Sequence, residues 1–226
     1  MTEWAVERAT GPAAAFHSRP LPDPAGRLVW VLEVDRPALV LGSTQAPEVA
    51  DAGACAAAGV EVVRRRSGGG AVLLDPGRVL WVDLVVARDD PLWDDDVGRA
   101  ATWVGRAWAT ALAAVEPDAP PPAVHEGALV RTAWSDLVCF AGLGPGEVVR
   151  AGAKVVGVSQ RRTRAGARFQ CACALGWDPA RLASLLALPA GDRARLTADV
   201  THSVHPASAS PSAIIDALLT SLPGPI

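Results

Sequence analysis

The stretch Val62–Asp75, "VVRRRSGGGAVLLD", decides how the rest of the chain is read. Val60 to Arg65 is β-branched and reads as a strand, and Ala71 to Leu74 resumes an extended run after the glycines. The glycines Gly68, Gly69 and Gly70 therefore form a bend between two strands. Consecutive backbone N–H groups in such a bend can converge on an anion, and glycine lets a ligand approach the backbone closely. Arg64, Arg65 and Arg66 add donors for phosphate or carboxylate. The stretch reads either as an anion cradle or as a glycine-rich hairpin with solvated arginines. It is not a Walker loop, because no Gly-Lys-Ser/Thr follows, and not a dinucleotide fingerprint, because a strand follows and not a helix.

Outward from the bend, Leu28 to Gly42 reads as two strands with a turn at Asp35-Arg36-Pro37, and the alanine-rich run 46–58 as a short helix between Pro47 and Gly59. Val79 to Val86 reads as a strand after a Pro76-Gly77 turn. The acidic run Asp94 to Asp96 reads as the cap and solvated face of a helix from about Val97 to Val115. Further strands are expected at 129–134, 137–140, 147–150, 154–158 and 168–175. Helices are expected at 179–186, 192–198 and 212–222, with the last twenty-odd residues packing loosely. Strands mix with helices without βαβ alternation. That pattern predicts an α+β domain with a mixed, largely antiparallel sheet flanked by helices. One domain is expected over 1–226, with a core at about 28–188 and a C-terminal helical segment at 189–226.

The chain has 226 residues, half of them hydrophobic, which is enough for a substantial core. A net charge of −3 argues against broad nucleic-acid or membrane binding. No apolar segment follows Met1 in the manner of a signal peptide, and no apolar run approaches a membrane span, so a cytoplasmic location is expected. Cys55, Cys139, Cys171 and Cys173 are too few and too irregularly spaced for a disulfide framework or a metal site, and Cys171-x-Cys173 reads as two reduced core thiols. The chain carries 20 arginines and a single lysine, Lys154. Either one surface lysine survived by chance, or this position needs a compact ammonium that guanidinium cannot replace.

Two motifs in order, "RRRSGGGAV" and "GAKVVGVSQRR" (Gly152–Arg162), resemble the signatures of lipoate–protein ligases and the related octanoyltransferases, over about Val31 to Leu186. The resemblance implies the biotin/lipoate-ligase catalytic-domain fold. It implies a catalytic Lys154, and a substrate- or phosphate-binding set of Arg65, Arg66, Ser67, Gly68, Gly69, Gly70 and Ala71 with Asp136, Gly157 and Ser159. It implies transfer of an octanoyl or lipoyl group to a lysine of a lipoyl carrier domain, of the glycine-cleavage H protein or dehydrogenase E2 type. The substrate is lipoate or an octanoyl group, with no tightly bound cofactor and no resident metal. An acyl carrier protein is a candidate donor, and ATP with Mg is needed if the chain is a ligase.

Cys139-Phe140, fifteen residues before Lys154, resembles the cysteine-dependent octanoyltransferases, in which a loop cysteine carries the acyl group as a thioester. A thiolate is a competent acyl carrier, and a nearby ammonium favours it. Within "LVCF", however, Cys139 also reads as a core thiol. About forty residues follow Leu188, fewer than the accessory domain of many lipoate ligases, which favours a transferase. The alternatives are an ATP-dependent ligase working through lipoyl-adenylate, and a non-catalytic relative that binds an acyl ligand or a carrier protein. The chain departs from the family at Leu73-Leu74, where an aromatic and a His are usual, at Cys171-Ala172 in place of His-Gly, and at Ser135 in place of Asn. His17, His125, His202 and His205 have no motif context. The eight tryptophans read as core and packing residues, and Trp81, in the strand after the bend, is the one to check as a tunnel lining.

Overall fold

A computed structural model describes residues 3–224; Met1, Thr2, Pro225 and Ile226, the ends of the expected domain, lie outside the described residues. The strands are β1 (Ala5–Gly11), β2 (Leu28–Val34), β3 (Ala38–Leu41), β4 (Glu61–Arg64), β5 (Val72–Leu74), β6 (Val79–Ala87), β7 (Ala123–Val124), β8 (Val148–Arg150), β9 (Ala153–Arg162) and β10 (Gly166–Ala174). The helices are α1 (Ala13–Ser18), α2 (Ala52–Ala57), α3 (Thr102–Val115), α4 (Pro179–Ser184), α5 (Ala190–Val200) and α6 (Pro211–Ser221). Seven strands form one sheet in the order β1-β2-β6-β10-β9-β8-β7, and three form a second, β4-β3-β5. β1 runs parallel to β2 and β3 parallel to β4, while the other pairings are antiparallel. The mixed, largely antiparallel sheet with flanking helices is thus present.

Side-chain alternation gives the large sheet two different faces. One cross-strand row joins Trp30, Asp83, Gln170 and Ser159, and a neighbouring row on the same face joins Leu32, Trp81, Ala172 and Gly157. This front face is covered by the small sheet and α1, through Phe16, Val40 and Leu74. The rear face carries Val31, Val82, Cys171 and Val156 against Val104, Trp108 and Leu112 of α3 and Ile214 and Leu218 of α6. β6 is buried on both sides, which explains its nearly unbroken apolar run.

Several sequence expectations need correction. β2 and β3 flank the expected turn but belong to different sheets. β1 and α1 were not anticipated, because "AVERATG" is exposed along most of its length and carries little apolar alternation. Residues 129–134 and 137–140 are not strands. They form a loop with isolated bridges from Val130 to Leu143 and from Val138 to Ala71, followed by a short 3-10 turn at Cys139–Ala141. α3 begins at Thr102, with no acid in its first turn. Asp94 and Asp96 accept instead from the amides of Asp96 and Gly98 and pair with Arg99, so the acidic run caps turns ahead of the helix. The C-terminal residues are not loose: Ile214 and Leu218 of α6 are buried against α3.

Glu116, just past α3, ties these layers together. Its carboxylate meets buried Arg150 of β8 and accepts from Ser208 Oγ at 2.7 Å and the Ala209 amide at 2.8 Å, fixing the approach to α6. Burial pushes its pKa up, but the bonds from Arg150, Ser208 and Ala209 outweigh that and hold it down to about 2. A depressed folded pKa stabilises the fold above the unfolded carboxylate value and loses that contribution as pH falls through the folded one. Glu116→Gln is therefore expected to cost about 3.5 kcal/mol at pH 7, from ~2.5 pH units at ~1.4 kcal/mol each. Urea unfolding at stepped pH checks this: the gap between wild type and variant should shrink from pH ~5 to ~2, and a gap independent of pH contradicts it.

Candidate active site

The glycine bend is held from behind. Arg65 is buried, and its guanidinium donates to the carbonyls of Gly68 (2.8 Å), Gly70 (2.7 Å) and Val40 (3.2 Å). The loop carbonyls are thereby drawn inward, while the amides of Gly68, Gly69 and Gly70 donate to no protein group among the described residues. Gly69 has φ +96°, a left-handed conformation that side chains rarely adopt. At Gly70 a Cβ would lie 2.6 Å from the Val138 nitrogen, so only glycine lets this strand lie against the 137–139 loop. There the Ala71 amide donates to Leu137 O at 2.8 Å, and the Cys139 amide to Ala71 O at 3.0 Å. Gln45 adds a second tie, donating to the carbonyls of Asp136 (3.0 Å) and Leu137 (3.1 Å).

Lys154 reaches the front face through a break in register. Val148 pairs with Val156, but the next residue, Val149, pairs with Lys154, so Val155 is the extra residue of a β-bulge. Val155 and Val156 both pack into the rear core. The flip in alternation gives Lys154 the same side as Gly157: a Cβ on Gly157 would lie 3.5 Å from Glu147 Oε1 and from the Phe140 ring, the two groups Lys154 also meets. Lys154 is buried. Its Nζ donates to the Cys139 carbonyl at 2.8 Å, pairs with Glu147 Oε2 at 2.7 Å, and lies 5.3 Å from the Phe140 ring centroid. Glu147 also accepts from the Gly144 amide at 2.6 Å. On the far side, Lys154 N donates to Ser203 O at 2.8 Å and His205 N to Lys154 O at 2.9 Å, so residues 203–205 hold the lysine backbone where β10 stops pairing.

Two spaces meet at Cys139, Val158 and Ser159. The first is an open groove of about 650 Å³, lined by Gly68 to Gly70, Asp136, Cys139, Glu147 and Lys154. The second is a narrow slot of about 50 Å³ between the sheets, walled by Val40, Leu74, Trp81, Phe140, Gly157 and Ala172. In the free protein the slot has room for only part of an eight-carbon chain, so these side chains must yield to a longer one. Cys139 is half-buried at the junction, whereas Cys55, Cys171 and Cys173 are buried; burial pushes the Cys171 thiol up, and Cys173 up to about 12.

The sequence-derived set is thus largely gathered around one junction. Lys154, Cys139, Gly68, Gly69, Gly70 and Ser159 line the groove, and Gly157 lines the slot. Ser67 sits between them, bonded to Ser159 Oγ at 3.1 Å and Gln170 Oε1 at 3.1 Å. Ala71 anchors the loop through its backbone. Arg66 is exposed, and Asp136 lies on the groove rim with its exposed carboxylate paired to Arg131. Trp81 lines the slot, and so do Leu74, Cys171 and Ala172, where the chain departs from the family pattern. Sequence reasoning missed three residues. Glu147 has no motif, while His17 and Gln170 join the site only through long-range packing.

The fold is that of lipoate-ligase catalytic domains. A bipartite lipoate protein ligase from Thermoplasma acidophilum, described with its E2 lipoyl domain, superposes with a TM-score of 0.69 at 16% identity, covering 97% of this chain and 81% of that one. A T. acidophilum lipoate protein ligase structure with bound lipoic acid gives 0.66 at 17% identity (97% and 83%), and a lipoate-protein ligase A bound with ATP gives 0.65 at 17% (97% and 83%). The chain belongs to the lipoyl protein ligase A/B catalytic domain family, whose model matches residues 13–210. No curated protein matches it.

Removing one partner of a buried ion pair leaves an uncompensated charge and typically costs about 3–5 kcal/mol, whereas removing both can be nearly neutral. Glu147→Gln should accordingly destabilise the protein by about 3 kcal/mol, and adding Lys154→Met should restore most of it. Guanidinium unfolding of the singles and the double decides the matter; simple addition of the two losses contradicts a coupled pair.

Proposed function

We propose that this chain transfers an octanoyl or lipoyl group to a lysine of a lipoyl carrier domain through an acyl-thioester on Cys139. The observation that carries this reading is the position of Cys139. Alone among the chain's cysteines it is half-open, at the meeting of an apolar slot and a groove that contains the lysine and the open glycine amides. In the first step the Cys139 thiolate attacks the acyl carbon of a thioester donor such as acylated acyl carrier protein. A new C–S bond forms as the donor's C–S bond breaks, and the donor thiol leaves with the proton Cys139 gave up. In the second step the neutral amine of the acceptor lysine attacks the Cys139 thioester. An amide forms, the Cys139 thiol is regenerated, and the nitrogen's proton returns to it. Negative charge gathers on the acyl oxygen in both steps, and the Lys154 ammonium with the amides of Gly68–Gly70 offers it preorganised donors. The T. acidophilum relative described with its E2 lipoyl domain supports the choice of acceptor.

Incubation with octanoylated acyl carrier protein should give a covalent acyl adduct by intact-mass spectrometry, absent from Cys139→Ala. No adduct on wild type, or its persistence in the variant, defeats this route.

The groove's volume favours a second reading, an ATP-dependent ligase. About 650 Å³ beside three open amides is ample for a nucleotide, and a protein of like fold is described with ATP bound. That route calls for pyrophosphate release with ATP and lipoate or octanoate, lost in Lys154→Ala and kept in Cys139→Ala. A pyrophosphate assay that stays flat with both acids counts against it.

A further inference from the structure

The wall of the slot is largely apolar, and its polar side chains are His17, Arg65, Ser159 and Gln170. His17 of α1 lines it, stacked on Trp81 with ring centroids 4.6 Å apart, and is nine-tenths buried. The slot shares Cys139, Val158 and Ser159 with the groove, and neither His17 nor Trp81 borders the groove. α1 is fixed there by buried Arg168, which donates to Phe16 O at 2.9 Å and Arg19 O at 3.2 Å while paired with buried Asp83.

A chain of hydrogen bonds sets the imidazole's tautomer. Ser67 Oγ donates to Gln170 Oε1 at 3.1 Å and so takes its bond from Ser159; Gln170 Nε2 faces His17 Nδ1 at 3.2 Å. An amide nitrogen can only donate, so Nδ1 accepts and the ring proton sits on Nε2. Burial, then the charges of Arg168 and Arg65, hold the His17 pKa down to about 3, so the ring is neutral at neutral pH. Nε2 is buried and has no partner, the one such polar atom among the described side chains of the slot wall. A buried donor without an acceptor is costly, and a ligand that supplies one recovers that cost. Arg65 borders the same slot, and its protein partners are all carbonyls, so the surroundings favour electron-rich atoms.

We propose that the slot selects acyl chains carrying a hydrogen-bond acceptor toward the ω-end, an oxygen or a ring sulfur, and that His17 Nε2–H is the donor that reads it. This rests on the acyl-transfer reading only for the slot being an acyl site; it needs neither Cys139 chemistry nor ATP. His17 is a specificity-determining residue in this scheme and takes no part in bond making.

The test is calorimetric binding of octanoate, ω-hydroxyoctanoate and lipoate to the full chain carrying Cys139→Ala, with and without His17→Phe, which keeps the stack on Trp81 and removes the donor. Lipoate, ω-hydroxyoctanoate or both should bind about tenfold tighter than octanoate, the worth of one well-made hydrogen bond, and His17→Phe should abolish the preference. Which acid gains tells sulfur from oxygen. Equal binding of all three, or a preference that survives His17→Phe, overturns the proposal. Binding of none overturns the proposal, and the acyl-transfer reading then stands or falls separately on the Cys139 adduct. Selective binding without any Cys139 adduct on wild type leaves it standing and removes the thioester route. Nitrogen NMR of wild type gives a readout independent of the variant: the Nε2–H resonance should move with the selected acid and not with octanoate, and a resonance unmoved by every acid overturns the proposal.

Discussion

One extra residue in β9 governs the site. Regular pairing with β8 would keep Lys154 in phase with Val156 and Val158, aimed at the helices behind the sheet. The bulge at Val155 reverses that phase, so that two consecutive valines face the rear core and the lysine faces Glu147 and the Cys139 carbonyl. A burial-driven pattern and a functional side chain are thus reconciled in one strand. The ladder bonds lost at a bulge are local, whereas a buried ammonium facing Trp108 and Leu112 without a partner would be far more costly.

The second constraint is Arg65. Its sequence neighbours suggested a ligand-facing arginine, but its donors are taken up by three backbone carbonyls. Those carbonyls are satisfied from within, while the amides of Gly68, Gly69 and Gly70 have no protein acceptor among the described residues and the three glycines line the groove. A lysine could not replace it, since one ammonium cannot span carbonyls from β3 and from two points of the loop. The arginine run therefore divides by position. Arg65 builds the loop, while Arg66, its neighbour, points outward and is exposed.

What the sequence made legible was local. Gly68 to Gly70 between two β-branched runs, and one lysine among twenty arginines, carry their meaning within a few residues. So did the α+β class and most of the strands that are apolar on at least one face. The rest depended on partners distant in the chain. Leu129 to Phe140 is apolar enough to read as strands, yet its groups are tied to Ala71, Gln45 and Leu143, and it forms the groove edge. Glu147 looks like any surface acid until the bulge turns Lys154 toward it. His17 lies on a six-residue helix whose end is tied at the Phe16 carbonyl by Arg168, some hundred and fifty residues later. No window along the chain joins those residues.

The strand that bears the lysine is bordered on one side by residues 203–205, and the two ends of the described chain are clasped, with Trp4 Nε1 donating to Pro223 O at 3.0 Å and Arg27 to the carbonyls of Pro223 and Gly224. During synthesis, which proceeds from the N-terminus, the glycine turn emerges before the lysine strand, and residues 203–205, which steady the ammonium's backbone, emerge some fifty residues after it. A nascent chain therefore carries a thiol before it carries a finished centre.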